Sequence, residues 1–343
     1  MRHRPILGPL LSGMPQPSLT VLVVGCGNIA GRFDDRRSIS DWPFTHAGAY
    51  RRDGRFAVTA CVDPDVGRRN AFMVRWCVPH GYASLVEAAA SGKHWDVISI
   101  CSPTPCHAED VEMAIRLAPR LIFCEKPVTD SAAKSERLIE HCAKAGIFLA
   151  VNHNRRWDPH IDHLYVEMQS GKWGALRSVV GIYNKGVLNN GTHMLDLLNR
   201  LLGPLAIVSV GKLVHDYFAE DPSVPVCLSS SDGVPVQLVC GHASDYAIFE
   251  LQLIFEAGMV SIEDGGKAWR ERHPEASGDF LGYRFLDAGT CRIGGDERCM
   301  VRAVDNIHRT VVFGDALSST GDTALAAQLL GDRIRALAME QST

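Results

Sequence analysis

A strand followed by a glycine turn near the start of the chain constrains the fold more than any other feature. Residues 20–24 (TVLVV) form an apolar run that leads directly into residues 25–30 (GCGNIA). The run predicts a buried strand, and the Gly-x-Gly-x-x-Ala pattern predicts a tight connection into a helix. Glycines let the backbone approach a ligand closely, and the N–H groups at a helix start favour an anion. The pattern therefore predicts the first unit of a dinucleotide-binding sheet.

Predicted strands and helices alternate as far as residue 151. The strands fall at 57–62, 96–101, 121–124 and 147–151, and the helices at 66–76, 85–91, 107–117 and 131–145. Such alternation is typical of βαβ units on a parallel sheet. This part of the chain is therefore predicted to be α/β, a doubly wound Rossmann sheet.

The pattern changes after residue 152. Predicted strands at 176–183, 207–213, 236–240 and 247–262, the last containing a hairpin turn at 256–258, now outnumber helices at 158–170, 192–202 and 323–339. This texture favours an α+β arrangement, in which helices cover one face of a large, mostly antiparallel open sheet.

Length and composition bound the organisation. A chain of 343 residues suits two cores. We expect a Rossmann domain over 19–151 and a substrate-binding and oligomerisation domain over 152–343. Residues 1–18 are expected to be a disordered leader. Their short apolar stretch faintly resembles a signal peptide, but Gly8 and Pro9 interrupt it, and a true start at Met14 is an alternative.

Charge and cysteine content exclude several classes of partner. The net charge of −4 arises from interspersed signs, and no uncharged apolar run reaches about 18 residues. Neither a nucleic acid nor a membrane is therefore expected as a partner. The eleven cysteines include no Cys-x-x-Cys pair, which indicates a reducing compartment such as the cytoplasm.

Residues 32–43, rich in Asp, Arg and Ser, predict a surface insertion before a helical pattern resumes at residue 45. The insertion would explain why Asp63 follows Gly25 by 38 residues instead of about 20. Asp63 ends the second strand, where a carboxylate accepts from ribose hydroxyls and repels a 2′-phosphate. The cofactor is therefore expected to be NAD, with NADP less favoured. Arg68 and Arg69 lie near enough to weaken this preference, unless they belong to a solvated helix face.

Two further strand ends carry candidate residues. Residues 101–104 (CSPT) end one strand, and they either contact the cofactor or simply lead into the helix that begins near His107. At the next strand end, Glu125-Lys126-Pro127 places a lysine where ligands bind in such sheets. His153, His160 and His163 lie near Asp162 without a recognised ligand spacing, so no metal site is expected.

Five segments together resemble one family. They are residues 25–30 (GCGNIA), 101–107 (CSPTPCH), 124–127 (CEKP), 152–159 (NHNRRWDP) and 191–196 (GTHMLD). In order and spacing, over about residues 21–202, they resemble the Gfo/Idh/MocA oxidoreductases, which include sugar, inositol and nucleotide-sugar dehydrogenases. The resemblance implies that Lys126 is catalytic and contacts the cofactor, and that His193 is the acid/base at the reacting hydroxyl. It also implies a cis peptide before Pro127 and a homodimer or homotetramer.

The chain departs from the common family pattern four residues before His193. Many members carry aspartate there, and this chain has Asn189, followed by Asn190. Asparagine can hold a substrate hydroxyl but cannot remove a proton. Some members that act on nucleotide-linked sugars resemble this chain in having asparagine, which favours such a substrate without deciding it.

The resulting expectation is hydride transfer between a nicotinamide and a hydroxyl or keto carbon of a sugar or nucleotide-sugar. Two alternatives remain, an NAD-dependent glycosidase and a regulator that senses the dinucleotide. Arg155 and Arg156 serve either a substrate anion or an ion pair. Beyond the catalytic pair Lys126 and His193, the candidate cofactor contacts are Gly25, Gly27, Asn28, Ile29, Asp63, Ser102, Pro103, Thr104, His107, Glu125 and Lys126, and the candidate substrate contacts are Asn189, Asn190, Arg156 and Tyr183.

Overall fold

A six-stranded parallel sheet forms the first half of the structure, a computed structural model that describes residues 18–38 and 40–341. Except for Ser18, the expected leader therefore lies outside the described residues. The strands and helices of this half are β1 Leu19–Val24, α1 His46–Asp53, β2 Phe56–Val62, α2 Val66–Trp76, β3 His80–Tyr82, α3 Leu85–Ala90, β4 Val97–Ile100, α4 Thr104–Arg116, β5 Leu121–Cys124, α5 Ala132–Lys144 and β6 Phe148–Val151.

The strand order is β3-β2-β1-β4-β5-β6, so the chain reverses direction across the sheet between β1 and β4. The central strands are almost continuously apolar because both faces are covered; Val21, Leu22 and Val23 of β1 are all fully buried. Ligands bind where such a reversal separates the strand ends. The fold thus directs attention to the loops after β1 and β4.

An eight-stranded, mostly antiparallel sheet dominates the second half, in the order β18-β15-β14-β13-β7-β12-β11-β8. Only β7 and β12 pair in parallel. These findings confirm the predicted fold class. The elements are α6 Pro159–Gln169, β7 Leu176–Tyr183, α7 Thr192–Leu202, β8 Leu205–Val210, β9 Val214–Phe218, β10 Asp221–Ser223, β11 Val226–Ser230, β12 Pro235–Cys240, β13 Phe249–Phe255, β14 Gly258–Glu263, β15 Ala268–Arg272, β16 Pro274–Ala276, β17 Arg284–Leu286, β18 Thr290–Ile293, α8 Cys299–Phe313 and α9 Gly321–Glu340.

Alternation along the strands explains which face of this sheet is covered. Leu251 and Leu253 of β13 point towards α6, α7 and α9 and are fully buried. The opposite face of the sheet mixes apolar side chains, such as Val180 and Ile254, with Gln252. It is therefore less apolar than the core face.

The two helices nearest the C-terminal end of the described chain pack against the first sheet as well. Val304 and Ile307 of α8 belong to the core around β1. Ala324 of α9 lies in the core on the other side of that sheet, whereas Ile334 of the same helix lies in the core of the second sheet. The two halves are therefore joined by shared packing, in addition to the chain between them.

One prediction needs correction: no regular helix follows the glycine turn directly. The chain forms a single turn and a short 3₁₀ segment, Arg32–Asp34, and α1 begins only at His46. The His46 N–H donates to the Ile29 carbonyl and the Ala47 N–H to that of Ala30. These bonds have the helical i→i−4 pattern once residues 33–45 are left out. The insertion is thus looped out of a helix that continues across it.

None of the helices in residues 18–38 and 40–341 combines the length and apolar character needed to cross a membrane.

Candidate active site

The glycine turn after β1 has the geometry expected of a dinucleotide site. Gly25 has φ +85°, and a Cβ there would lie 2.6 Å from the backbone nitrogen of Ser102 after β4, so only glycine fits. By contrast, a Cβ on Gly27 would have no heavy atom within 4 Å. Asn28 is exposed and Ile29 is partly exposed at the same turn. The turn therefore leaves open space beside backbone N–H groups, which suits a pyrophosphate.

Asp63 lies at the end of β2 beside this turn. Its carboxylate accepts from the backbone N–H of Cys26 at 2.9 Å and from that of Asp65 at 2.9 Å. The half-exposed Arg68 guanidinium lies 3.3 Å from the same carboxylate. A dinucleotide ribose would thus meet a carboxylate that is fixed by backbone donors and has an arginine beside it.

The predicted residues at the end of β4 have different positions. They are Ser102, Pro103, Thr104 and His107. Ser102 donates to Asp110 at 2.5 Å, and Pro103 and Thr104 begin α4. His107 is 1% exposed, and its two ring nitrogens lie 2.9 Å from the Pro127 carbonyl and 2.8 Å from the Ser102 carbonyl. His107 therefore ties the loops after β4 and β5 together from beneath instead of facing the cavity.

Glu125 is held on two sides. Its Oε1 lies 2.9 Å from Nε2 of the buried His46 and accepts from the Asn152 amide at 2.7 Å. Burial opposes ionisation of Glu125, but hydrogen bonds from His46 and Asn152, together with the Lys126 charge, hold its pKa below the ordinary value. The next peptide bond, between Lys126 and Pro127, is cis, as predicted.

Lys126 reaches from β5 across to the second half of the molecule. Its Nζ donates to the backbone carbonyl of Asn189 at 2.7 Å and to Oδ1 of the same residue at 3.0 Å. Burial lowers the pKa of Lys126, and the Arg155 charge adds to this, whereas Glu125 and Asp221 oppose it. Asn189 lies in a π-helical segment, Gly186–Gly191, that leads directly into α7.

His193, in the first turn of α7, shares a cavity of about 660 Å³ with Lys126, Asn189 and Asn190. Burial lowers the pKa of His193 well below its ordinary value, and the charges of Lys126, Arg155 and His153 lower it further. The imidazole is therefore neutral at pH 7 and able to accept a proton. Four sequence-predicted residues are thus brought together.

Two predicted substrate residues are not brought to this cavity. Arg156 is buried with its Nε 2.8 Å from both carboxylate oxygens of Asp196. Tyr183 is 1% exposed, and its hydroxyl bonds to the backbone of Val224. Both assignments therefore need correction, since each polar group already has a structural partner. The burial of Tyr183 could have been predicted from the sequence, because alternation along β7 puts residues 179, 181 and 183 on the core face.

Of the two arginines that the sequence offers for a substrate anion or an ion pair, Arg155 lines the cavity and Arg156 does not. The Arg155 guanidinium lies 3.6 Å above the Phe249 ring and donates to the Gly265 carbonyl at 3.1 Å. Lys185 and Lys267 also line the cavity, and sequence reasoning missed both.

Comparisons with known proteins agree with this geometry. Residues 19–153 match the Gfo/Idh/MocA family, described as "Oxidoreductase family, NAD-binding Rossmann fold". The chain is 27% identical over 320 residues to inositol 2-dehydrogenase of Corynebacterium glutamicum (strain R), covering 87% of this chain and 88% of that protein. It is 24% identical to D-apiose dehydrogenase of Paraburkholderia graminis over 64% of this chain, a match that spans only 61% of that protein's length.

A solved structure shares the whole fold. The WlbA dehydrogenase from Bordetella pertussis, in complex with NADH and UDP-GlcNAcA, superposes with a TM-score of 0.73 at 18% identity, over 94% of this chain and 97% of that chain. Other structures with this fold hold NAD⁺ or NADP.

Proposed function

Because residues 19–153 match the Gfo/Idh/MocA family of oxidoreductases, we propose that the chain transfers a hydride between a nicotinamide cofactor and a hydroxyl or keto carbon of a sugar or nucleotide-sugar. One observation carries this proposal. Lys126 at a Rossmann strand end and His193 on the second half line a single cavity, and Asn189 bonds directly to Lys126.

The residues around the glycine turn fit a nicotinamide dinucleotide. Gly25 and Gly27, with the N–H groups of Asn28 and Ile29, would hold the pyrophosphate, and Asp63 would accept from the adenosine ribose. When bound, the cofactor supplies the hydride acceptor or donor. NAD is the proposed cofactor because Asp63, fixed by two backbone N–H groups, would repel a 2′-phosphate.

His193 is the proposed general base for oxidation of the hydroxyl. Its lowered pKa keeps the imidazole neutral, so it can take the hydroxyl proton as the carbon loses a hydride. In the reverse direction, the same group returns a proton to the keto oxygen.

Lys126 is the proposed stabiliser of the developing alkoxide. An ammonium has three donors, and Asn189 accepts from two of them, which leaves one for the substrate oxygen. Because Asn189 also fixes the ammonium, it would position Lys126 and could orient a neighbouring hydroxyl.

Assembly and location follow from other parts of the molecule. The open face of the second sheet, with Val180 and Ile254 among its side chains, is proposed to pair with a second copy in at least a dimer. All eleven cysteines lie in the described part of the chain and are free, which supports the cytoplasm as the working compartment.

A substrate screen tests the proposed function. Purified protein with NAD⁺ is incubated with inositols, neutral sugars, sugar acids and nucleotide-sugars, and the absorbance of reduced nicotinamide is followed. We expect one class to give turnover that Lys126→Ala removes. Lys144→Ala is a matched control, because Lys144 is an exposed lysine of α5 that pairs with Glu140. No cofactor reduction with any class, and no oxidation of NADH by the corresponding keto compounds, would contradict the proposal.

A further inference from the structure

The charge of the candidate cavity carries an inference about the substrate, which rests on the proposed function. Among the described residues that line the cavity, four carry cationic side chains, Lys126, Arg155, Lys185 and Lys267, and two carry carboxylates, Glu250 and Asp264. We propose that the substrate carries an anionic group, a carboxylate or a phosphate, and that Lys185 is its principal contact, assisted by Arg155 and Lys267.

Of these four cations, Lys185 makes the weakest side-chain interactions with the described part of the protein. Among the described residues, no carboxylate lies within 4.0 Å of its ammonium, which lies 5.4 Å from the centre of the Tyr217 ring. The nearby Asp216 carboxylate accepts instead from the Lys185 backbone N–H at 2.7 Å and from Ser223 at 3.0 Å. The ammonium is therefore available to a ligand in the cavity.

The backbone at Lys185 is also unusual. Lys185 follows β7 with φ +66° and ψ +41°, a left-handed conformation that favours glycine. A lysine at such a position is retained at a conformational disadvantage, and backbone outliers of this kind cluster at ligand sites. The left-handed backbone of Lys185 and the lack of a described carboxylate near its ammonium are independent observations. Both indicate that the side chain binds a ligand.

Arg155 and Lys267 line the same cavity from other segments. The Arg155 guanidinium lies 3.6 Å above the Phe249 ring and donates to the Gly265 carbonyl at 3.1 Å. Lys267 lies 3.8 Å from the exposed Asp264, a separation at which an exposed pair contributes little.

With a neutral sugar bound, the cations that line the cavity would still outnumber the carboxylates that line it, and Glu125 and Asp221 would act on Lys126 from outside the lining. Polar hydroxyls need matched donors and acceptors, whereas a carboxylate or phosphate matches ammonium and guanidinium groups with charge-assisted hydrogen bonds. An anionic substrate therefore balances the complex in a way that a neutral one does not.

Calorimetry on the NADH-bound protein tests the preference without turnover. Glucuronate and glucose 6-phosphate are titrated beside glucose, so that the two anions distinguish carboxylate from phosphate recognition. We expect at least one anion to bind roughly tenfold or more tightly than glucose. Equal binding of all three, or no measurable binding of either anion, would overturn the inference.

Substitution of Lys185 makes the test specific. Lys185→Gly removes the charge in a conformation that glycine adopts freely, so the fold should be retained, and Lys185→Gln removes the charge at nearly constant length. Both should weaken binding of the preferred anion by roughly 10- to 100-fold and weaken glucose binding much less, so that the preference for the anion is lost. Lys144→Gln, on the exposed surface of α5, should change neither. Retained anion preference in both Lys185 variants would overturn the assignment.

The outcomes separate this inference from the proposed function. Anion binding without any cofactor reduction in the presence of NAD⁺ would contradict the dehydrogenase and leave the anion site standing. Turnover of neutral sugars with no preference for anions would support the dehydrogenase and contradict the anion site.

Discussion

His193 and Lys126 line the same cavity but differ in their contacts, so their loss should have different effects. Replacing His193 with alanine should lower kcat by roughly 10²–10⁴-fold, because positioned proton transfer contributes on that scale. Cofactor affinity should change little. Lys126→Ala should weaken both turnover and cofactor binding, because Lys126 follows β5 at the same edge of the parallel sheet as the glycine turn that follows β1.

Steady-state kinetics and cofactor titration measure these effects. His163→Ala is the control for His193→Ala, because His163 is an exposed histidine of α6 that pairs with Glu167. Near-normal turnover of His193→Ala on the true substrate would refute its assignment as the base.

Asn189 offers a test by pH. Its Oδ1 accepts from Lys126, so Asn189→Asp places a carboxylate against the ammonium and should raise the pKa of Lys126. In the wild type that pKa is lowered, and activity that needs the ammonium is lost as pH rises through it. The alkaline limb of the kcat profile should therefore move to higher pH in Asn189→Asp. An unchanged limb would indicate that Lys126 does not act as the charged group.

Asp63 should determine the choice of cofactor. We expect NAD(H) to bind more tightly than NADP(H) by calorimetry, and Asp63→Ala to narrow the difference, because the repelling carboxylate is lost while Arg68 beside it remains. Equal or tighter binding of NADP(H) by the wild type would contradict this expectation.

At the scale of elements, the looped-out insertion leads to a prediction about the free energy of unfolding. Asp34 is buried within it and accepts from the N–H groups of Phe44 and Thr45 and from the Thr45 hydroxyl. Asp34→Ala should destabilise the protein by about 1–3 kcal/mol, because it leaves buried donors unsatisfied. Deleting residues 33–45 removes the donors together with the acceptor and rejoins a helix whose hydrogen bonds already exist.

The deletion should therefore be less harmful than the point substitution. Chemical denaturation of both variants measures the free energy of unfolding, and titration with NADH shows whether the glycine turn is intact. A deletion variant that fails to fold, beside a stable Asp34→Ala variant, would show that the insertion has a structural role of its own.

The elements also show what the sequence could and could not predict. Helices α2 and α7 and strand β5 have the predicted bounds, because each is a short segment with a clear apolar pattern. The break after the glycine turn could not be predicted, since it depends on where residue 46 meets residue 29 in space.

The candidate site shows the same division. Lys126, Asn189 and His193 follow from motifs that lie within short stretches of sequence. Arg155 and Arg156 lie in a 3₁₀ turn, Asn154–Trp157, whose short length gives no periodicity that distinguishes an inward from an outward arginine. Lys185 and Lys267 come from segments that only the pairing of the second sheet brings to one cavity.

At the scale of the whole molecule, the open face of the second sheet predicts assembly. Light scattering at micromolar concentration should give at least twice the chain mass of 37.5 kDa. Val180→Glu puts a charge in the middle of that face, next to Gln252 and Gln237, and should shift the equilibrium towards monomer. Val74→Glu, at an exposed position of α2, is the control. A monomeric wild type would contradict the prediction.

The shared packing of α8 and α9 bears on the order in which the chain can mature. Ser319 supplies a backbone carbonyl to the Val151 N–H of β6, and α8 completes the core around β1. During synthesis the dinucleotide sheet emerges first, yet it stays unfinished until residues 299–340 have left the ribosome. The apolar surface of the first sheet that α8 covers therefore stays exposed until most of the second half has been translated. We therefore expect cofactor binding to follow translation of residues 299–340, and a nascent chain stalled before residue 299 to be bound by chaperones.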